Sequence, residues 1–345
     1  MSYQREFKKR LNIGIVGAGS HCYRNILPAM NYLPVNIKAI CDVNIELAAA
    51  TAKQYGNCNY YSNTIEMYEK ETLDAVFIAV SPMLHPKLAC EAFDAGLHVW
   101  IEKPVSVLAC EVEEMINHRK DKIAVVGFKK AFMPSTQKAI EVINSEKYGN
   151  LKSILGVYSV NIPENGREAL EKRAFTGWLA NGCHPLSLML ATGGKVKYAA
   201  TYRSAKNNAV CILEFENGVI GNLHMASGPQ PAESYSFYGD NWHLNIDNCY
   251  KVTLERGIPF QYGVTTSYVP EGDDSGAIVW RPQNCLATLE NKALFTQGIY
   301  DEMMYFCNCV LEGKPAEKGS LEFALELMKV YEACLLSDGN KIEIQ

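Results

Sequence analysis

Short, unbroken apolar runs alternate with helix-patterned stretches over the first third of the chain. Residues 11–16, 36–41, 75–80, 98–101 and 123–128 are apolar runs of four to six residues. Runs of this kind predict strands covered on both faces. Between them lie stretches of helical character at 25–32, 46–55, 86–95 and 111–120. In the third of these, Leu88, Ala89, Ala92 and Phe93 share one face. Gly56 and Gly96 follow two of the helices as natural stops. Strands alternating with helices of about ten residues predict βαβ units and a parallel sheet.

The pattern changes after Gly127. One helix is predicted at 136–145. Longer strands with polar alternation follow at 153–161, 196–203, 209–216, 219–226 and 235–239, which reads as a mostly antiparallel sheet. Glu216-Asn217-Gly218-Val219 predicts a hairpin with a type I′ turn. Helices expected at 182–191, 300–312 and 321–337 can cover one face of that sheet. The other face is left open, and an open face carrying apolar residues predicts a homodimer or homotetramer. The expected fold class is α/β, with a dinucleotide-binding domain at 1–128 and a substrate-binding and oligomerisation α/β domain with an open-faced sheet at 129–345. A chain of 345 residues suits two domains.

Charge narrows the function. A net charge of −5 gives no basic face for nucleic acid. Lys8-Lys9-Arg10 is the one basic cluster, and three charges before a strand read as a solvated lead-in. The polar first ten residues lack the apolar region of a signal peptide, and no run of 18 apolar residues exists, so the expectation is a cytoplasmic protein without membrane contact. The 12 cysteines contain no C-x-x-C pair. They read as reduced, mostly buried thiols, and no metal site is expected.

Four motifs fall at the carboxyl ends of the predicted parallel strands, where ligands of such sheets bind. Gly17-Ala18-Gly19 follows the first strand and precedes a helix. Gly17 permits a tight turn, Gly19 lets backbone approach a pyrophosphate, and Ser20 and His21 open the helix whose N–H groups face the phosphates. Cys22 holds the third, small-residue position of that fingerprint. Asp42 ends the second strand, where a carboxylate binds ribose hydroxyls and repels a 2′-phosphate. Val43 and Asn44 supply no Arg for that phosphate, so NAD is expected over NADP. The alternative role for Asp42 is to cap the helix near Ile45. Ser81-Pro82-Met83-Leu84-His85 follows the third of the strongly apolar strands, where His85 either borders the cofactor or closes the first turn of a helix. Glu102-Lys103-Pro104 follows the fourth. Lys103 there can bond a substrate hydroxyl, and Pro104 is a candidate cis peptide.

The order of these motifs resembles the Gfo/Idh/MocA oxidoreductases. The most specific stretch runs from Ala95-Gly96 through His98-Val99 to Glu102-Lys103-Pro104. The likeness continues through Val126-Gly127-Phe128 to Pro134 and into the C-terminal helix at Glu332-Ala333. It implies a Rossmann domain, NAD, and a sugar-like substrate. It implies Lys103 as a catalytic residue. It also implies a catalytic acid–base His, and His184 fits. An Asp commonly stands four residues before that His; here the position is Ala180, and the nearest polar residue, Asn181, cannot act as a base.

The candidate cofactor residues are therefore Gly17, Gly19, Ser20, His21, Asp42, Ser81, Pro82, His85, Glu102 and Lys103. The candidate substrate residues are Asn161, Arg167, Trp178 and Asn181, with Trp178 offered to stack on a sugar face. The expected reaction is NAD-dependent oxidation of a secondary alcohol of a sugar, sugar derivative or cyclitol. Two other readings stand beside it. One is a redox-neutral enzyme that recycles tightly held NAD, and the other is a non-enzymatic sensor of NAD and sugar.

Overall fold

A computed structural model describes residues 6–204, 208–225, 233–256, 262–263, 276–282 and 292–344. The chain divides into two compact units. The first comprises Met1–Phe132, Lys172–Phe175 and Gly298–Met328; the second comprises Met133–Glu171, Thr176–Gln297 and Lys329–Gln345.

The first unit is built on strands β1 (Leu11–Val16), β2 (Val35–Cys41), β3 (Asn59–Tyr61), β4 (Ala75–Ile78), β5 (His98–Glu102) and β6 (Ala124–Gly127). They form a parallel sheet in the order β3-β2-β1-β4-β5-β6. The order reverses between β1 and β4, and such a reversal opens a crevice at the carboxyl ends of the strands. Every residue of β4 and β6 is buried, which explains their unbroken apolar runs. Helices Ile45–Gln54, Thr64–Lys70, His85–Asp94 and Ala109–Arg119 join the strands.

The helices expected to cover the second sheet divide differently. Helix Ile299–Glu312 belongs to the first unit. Its Phe306 meets Phe77 of β4 edge-on at 5.4 Å, and Phe77 in turn stacks on Trp100 at 5.5 Å. The backbone N–H of Val126 in β6 donates to Gly319 at 2.7 Å. Arg119 makes a two-pronged ion pair with Glu322 at 3.0 and 2.6 Å. Aromatic packing and these ties hold residues 298–328 against the parallel sheet, so the units do not follow a single cut near residue 128.

The second unit carries β7 (Leu151–Tyr158), β8 (Val196–Arg203), β9 (Ala209–Phe215), β10 (Ile220–Met225), β11 (Glu233–Gly239), β12 (Trp242–Asp247), β13 (Lys251–Arg256), β14 (Gly276–Trp280) and β15 (Ile342–Glu343). Their order is β14-β13-β12-β11-β7-β10-β9-β8-β15, antiparallel except for the pairing of β10 with β7. Helices Pro134–Ile143 and Gly177–Gly193 pack on one face of this sheet. In β9 and β12, buried residues alternate with partly exposed ones, as one covered face requires.

The hairpin joining β9 to β10 differs from the expected type I′ turn. Gly218 has φ +85° while Asn217 does not have positive φ. The N–H of Gly218 donates to Phe215 at 3.0 Å. Asn217 instead spends its side chain on the turn and on Gly193, accepting from Val219 at 3.1 Å and donating to the Gly193 carbonyl at 2.9 Å. One left-handed Gly after an ordinary turn makes a three-residue connection. Arg203, at the end of β8, donates to the carbonyls of Cys334, Leu335 and Ser337 at the C-terminus of helix Leu321–Leu336. Those carbonyls have no partners within the helix, and a guanidinium satisfies them and matches the helix dipole.

Candidate active site

β1 ends at Val16 and the chain turns sharply at Gly17, whose φ is +93°. A Cβ there would stand 2.4 Å from the Ala79 carbonyl oxygen and 2.7 Å from Val80 Cγ1. Glycine is therefore required both for conformation and for space. Gly19 is different: a Cβ there would meet nothing within 4 Å, so the backbone lies open on that side. The helix begins at Ser20 without a side-chain cap and passes through a π turn at Cys22–Ile26 into Leu27–Met30. Its first N–H groups are free of capping side chains, and a helix start of this kind favours anionic groups. Cys22 is 1% exposed, and burial pushes its thiol up to about 12, so it packs as a small apolar residue.

Asp42 ties this turn to the end of β2. One carboxylate oxygen accepts from the Ala18 N–H at 2.8 Å, the other from the Asn44 N–H at 2.9 Å. Asp42 is not the cap of the next helix. Asn44 is, accepting from Glu46 and Leu47 at 3.1 Å each. Val43 beside it is 92% exposed, an apolar side chain offered to solvent next to the carboxylate.

At the end of β5, Glu102 is the hinge of a second cluster. Its carboxylate accepts from the Lys103 N–H at 2.5 Å and meets His21 Nε2 at 2.5 Å, which joins the glycine turn to the Lys103 segment. Gly127 on β6 makes room, because a Cβ there would lie 2.7 Å from the Trp100 ring and 2.9 Å from the Glu102 carboxylate. The Lys103–Pro104 peptide is cis. Two groups absent from the sequence reading complete the cluster. Burial and then the neighbouring Glu102 carboxylate push Glu302 well above the usual carboxylate range, while Lys129 and Lys103 pull it back. Burial and then Lys130 hold Lys129 below the usual lysine range. An acid raised by burial and an amine lowered by burial thus share the surroundings of Lys103.

His85 is corrected by the structure. It is 0% exposed, and Nδ1 lies 2.9 Å from the Pro104 carbonyl. A carbonyl only accepts, so Nδ1 carries the proton and Nε2 is bare. The ring therefore holds the Lys103–Pro104 segment from inside rather than touching a cofactor. Pro82 is likewise buried, whereas Ser81 is exposed at the end of β4.

Burial holds His85 neutral, pushed down to about 4, and raises Asp301 to about 6. The two act on stability with opposite signs. An unfolded chain protonates His85 near 6.5 while the folded chain resists, so this contribution, about 3 kcal/mol, is present above 6.5 and lost as pH falls to about 4. Asp301 ionises first in the unfolded chain, so its contribution, also about 3 kcal/mol, is present below about 4 and lost as pH rises to about 6. Urea midpoints measured from pH 4 to 6.5 check both. Relative to the parent, His85→Asn, which keeps a donor for Pro104, should lose stability as pH rises, and Asp301→Asn should gain it. Parallel curves for all three proteins would refute the assignment.

In the second unit, helix Gly177–Gly193 starts under a Thr176 cap that accepts from Leu179 at 3.1 Å. His184 therefore lies mid-helix, not at a helix start, and is 7% exposed. Pro185 follows it and has no N–H to give the carbonyl of Asn181, which loses its helical partner. The Tyr158 ring lies 6.2 Å from the His184 ring, between centroids. Burial and then Glu233 push the Tyr158 hydroxyl well up. Glu233 pairs in register with Tyr158, is buried, and accepts from the Tyr235 hydroxyl at 3.0 Å and from the Cys249 thiol. Tyr158 and Glu233 are thus polar groups of the His184 neighbourhood that the sequence reading missed.

Trp178 is also corrected. It is 0% exposed, stacks on Tyr331 with ring centroids 6.3 Å apart, and donates Nε1–H to the Tyr331 carbonyl at 3.4 Å. Gly182 gives the indole its room, since a Cβ there would sit 2.5 Å from the ring. A Trp so enclosed packs the core and cannot stack on a sugar. Asn161, Arg167 and Asn181 are exposed.

Residues 11–161 match the family described as oxidoreductases with an NAD-binding Rossmann fold, GFO_IDH_MocA. The match covers the parallel-sheet part of the chain, which is thus similar to the Gfo/Idh/MocA oxidoreductases. D-xylose 1-dehydrogenase (NADP(+)) 2 of Haloferax volcanii is 24% identical over 274 residues, 76% of this chain and 83% of that one. Inositol 2-dehydrogenase of Corynebacterium glutamicum strain R is 27% identical over 236 residues, 63% and 67% of the two chains. Over the full fold, a dehydrogenase from Chromobacterium violaceum superposes with a TM-score of 0.82 at 21% identity, covering 96% of each chain. The glycine turn with its open flank at Gly19 fits a dinucleotide, in keeping with the NAD-binding Rossmann fold of the matched family. Among the described residues, no helix is long and apolar enough to cross a membrane.

Proposed function

We propose that the protein oxidises a secondary alcohol of a sugar, sugar derivative or cyclitol, with NAD preferred over NADP. The observation that carries this is the alignment of Gly17, Asp42 and Lys103 along the carboxyl ends of β1, β2 and β5, with Glu102 bonded to both His21 and the Lys103 N–H. Bound nicotinamide supplies the hydride acceptor. Lys103 steadies the negative charge that develops on the substrate oxygen, and the bond from its backbone N–H to Glu102 fixes the segment that carries it. His184 receives the hydroxyl proton, a task suited to an imidazole at neutral pH. Two of the relatives are named as dehydrogenases of xylose and inositol, which supports a polyol-like substrate. Nothing observed favours a redox-neutral cycle or a sensor.

Asp42 carries the cofactor preference. Two backbone donors hold its carboxylate in place, and a 2′-phosphate would face that carboxylate with Val43 and Asn44, not Arg, alongside. A panel of cyclitols, hexoses, sugar acids and nucleotide sugars tests the reading, with NADH absorbance and product followed together. The expected result is stoichiometric NADH with at least one polyol and NAD favoured by about tenfold or more, the size of a single unfavourable charge contact. Product without NADH would replace this reading with the redox-neutral one, and a preference for NADP would remove Asp42 from its role.

Self-association through the open face of the second sheet belongs to the same proposal. Tyr202, Ile220 and Tyr238 are exposed there beside partly exposed Val210 and Ile212. Light scattering at micromolar concentration should give a dimer or tetramer, and Ile220→Lys should shift it toward monomer. A monomeric parent protein would overturn this.

A further inference from the structure

Helices His85–Asp94 and Ala109–Arg119 pack against each other in the first unit. Each brings one pair of polar side chains, four residues apart, to their shared seam. Cys90 and Asp94 come from one helix, Glu114 and His118 from the other. Residues four apart lie on one helical face, so two such pairs on facing helices converge. The ligand atoms of Cys90, Glu114 and His118 all lie within 4.8 Å of one another. Asp94 joins them, with a carboxylate oxygen 3.6 Å from His118 Nδ1.

We propose that Cys90, Asp94, Glu114 and His118 form a binding site for one zinc-class divalent ion that clamps the two helices. Metal–ligand bonds of about 2.0–2.3 Å in a tetrahedron place the ligands about 3.3–3.8 Å apart. The His118–Asp94 separation already falls in that range, and the Cys90 and Glu114 ligand atoms, within 4.8 Å of His118 and of each other, reach it by a movement of about 1 Å at the ends of rotatable side chains. The donor set of one thiolate, one imidazole and two carboxylates is the chemistry that zinc takes. Four protein donors leave no open position, which makes the site structural rather than catalytic.

The charge balance around the seam supports a cation. Lys120 reaches Asp94 at 3.7 Å from the exposed end of the second helix. Glu91 is engaged elsewhere, by Thr64 at 3.0 Å and Lys87 at 3.8 Å, and Arg119 is paired with Glu322. A divalent ion would displace the thiol proton and Lys120 and neutralise the repulsion among three acidic groups. The clamp would also bear on the site described above, because the same helix begins with His85, whose ring holds Pro104.

Spectroscopy with cobalt and competition with zinc test this on the full-length protein, stripped of metal with a chelator. Stripped protein should take up one zinc per chain against a chromophoric competitor. With cobalt it should show a thiolate charge-transfer band and the visible bands of tetrahedral geometry. Cys90→Ala should remove the charge-transfer band. His118→Ala and Glu114→Gln should each weaken zinc by about 100-fold or more, at the upper end for lost coordination support. Cys110→Ala, at an exposed thiol on helix Ala109–Arg119, should leave the band intact. Zinc should raise the Tm of the parent and not that of Cys90→Ala, since binding to the folded state alone stabilises it. A cobalt band that survives Cys90→Ala, or zinc affinity unchanged in His118→Ala, would overturn the site.

Discussion

Gly17→Ala is expected to abolish measurable NAD binding and to cost the first unit several kcal/mol. Two independent penalties meet at this residue. Its φ of +93° lies where an L side chain is strained by about 1–2 kcal/mol. The added methyl would also stand 2.4 Å from the Ala79 carbonyl, which is backbone and cannot rotate away. Ala79 is held by its own N–H bond to Val16 at 2.8 Å, and Gly17 by its bond to Cys41 at 2.8 Å. Relief therefore requires β1 and β4 to separate at the crevice or the turn to swing off β2, and either movement removes the surface on which a pyrophosphate would rest. Gly19→Ala separates binding from folding. No atom lies within 4 Å of its Cβ position, so the Tm should stay within about 1 °C of the parent, the behaviour of a surface change. NAD affinity should nevertheless fall about tenfold or more, because the methyl occupies the approach to the backbone. Calorimetric titration with NAD and thermal unfolding of both variants check this. A Gly17→Ala protein that binds NAD like the parent, or a Gly19→Ala protein with undiminished affinity, would move the pyrophosphate away from this turn.

What could be read from sequence followed the range of the interactions involved. β4 and β6 announce themselves because both faces are covered and every position is buried. β3 does not, since it is a three-residue edge strand with exposed Asn59 and Tyr60. In the second unit, β12 and β13 carry a readable alternation, with Trp242, Leu244 and Ile246 buried against the outward His243 and Asn245. Their brevity and the neighbouring turn at Asp240-Asn241 set them apart from the longer strands that were predicted. Gly17, Asp42 and Lys103 were legible because each sits at a strand end within a few residues of its motif. Trp178 was not, because an aromatic beside small residues reads alike as a sugar platform or as core, and its partner Tyr331 is 153 residues away. Glu302 and Glu233 reach their sites only through tertiary packing. The seam of Cys90, Asp94, Glu114 and His118 escaped the usual cysteine spacing for the same reason: each helix carries half a site.

Lys103→Ala and His184→Gln should each lower turnover by about 100-fold or more while leaving NAD affinity near the parent value, the loss expected when a group that handles charge or a proton in the reacting step is removed. The two substitutions need different controls. Lys103 is partly exposed and shares its surroundings with Glu102, Glu302 and Lys129, so removing it leaves a carboxylate-rich cluster without one of its two balancing amines. Lys103→Arg restores charge but not a compact ammonium, and should recover only part of the rate. His184 is buried in mid-helix, so His184→Ala would add a packing loss of about 1–3 kcal/mol to any catalytic one. Glutamine fills much of the same volume and can still hydrogen-bond, but it does not exchange a proton near neutral pH. The expected signature of His184→Gln is a fall in kcat with a Tm close to the parent, together with loss of the limb of the kcat–pH profile that reports an imidazole. Tyr158→Phe adds a further arm. Its ring lies beside His184 and its hydroxyl is held protonated by burial and Glu233, so it can orient the imidazole but cannot replace it as a base. This variant should shift the His184 limb without abolishing it. If His184→Gln turns over at the parent rate with the same pH profile, the proton goes elsewhere, and buried Glu233 becomes the group to remove next.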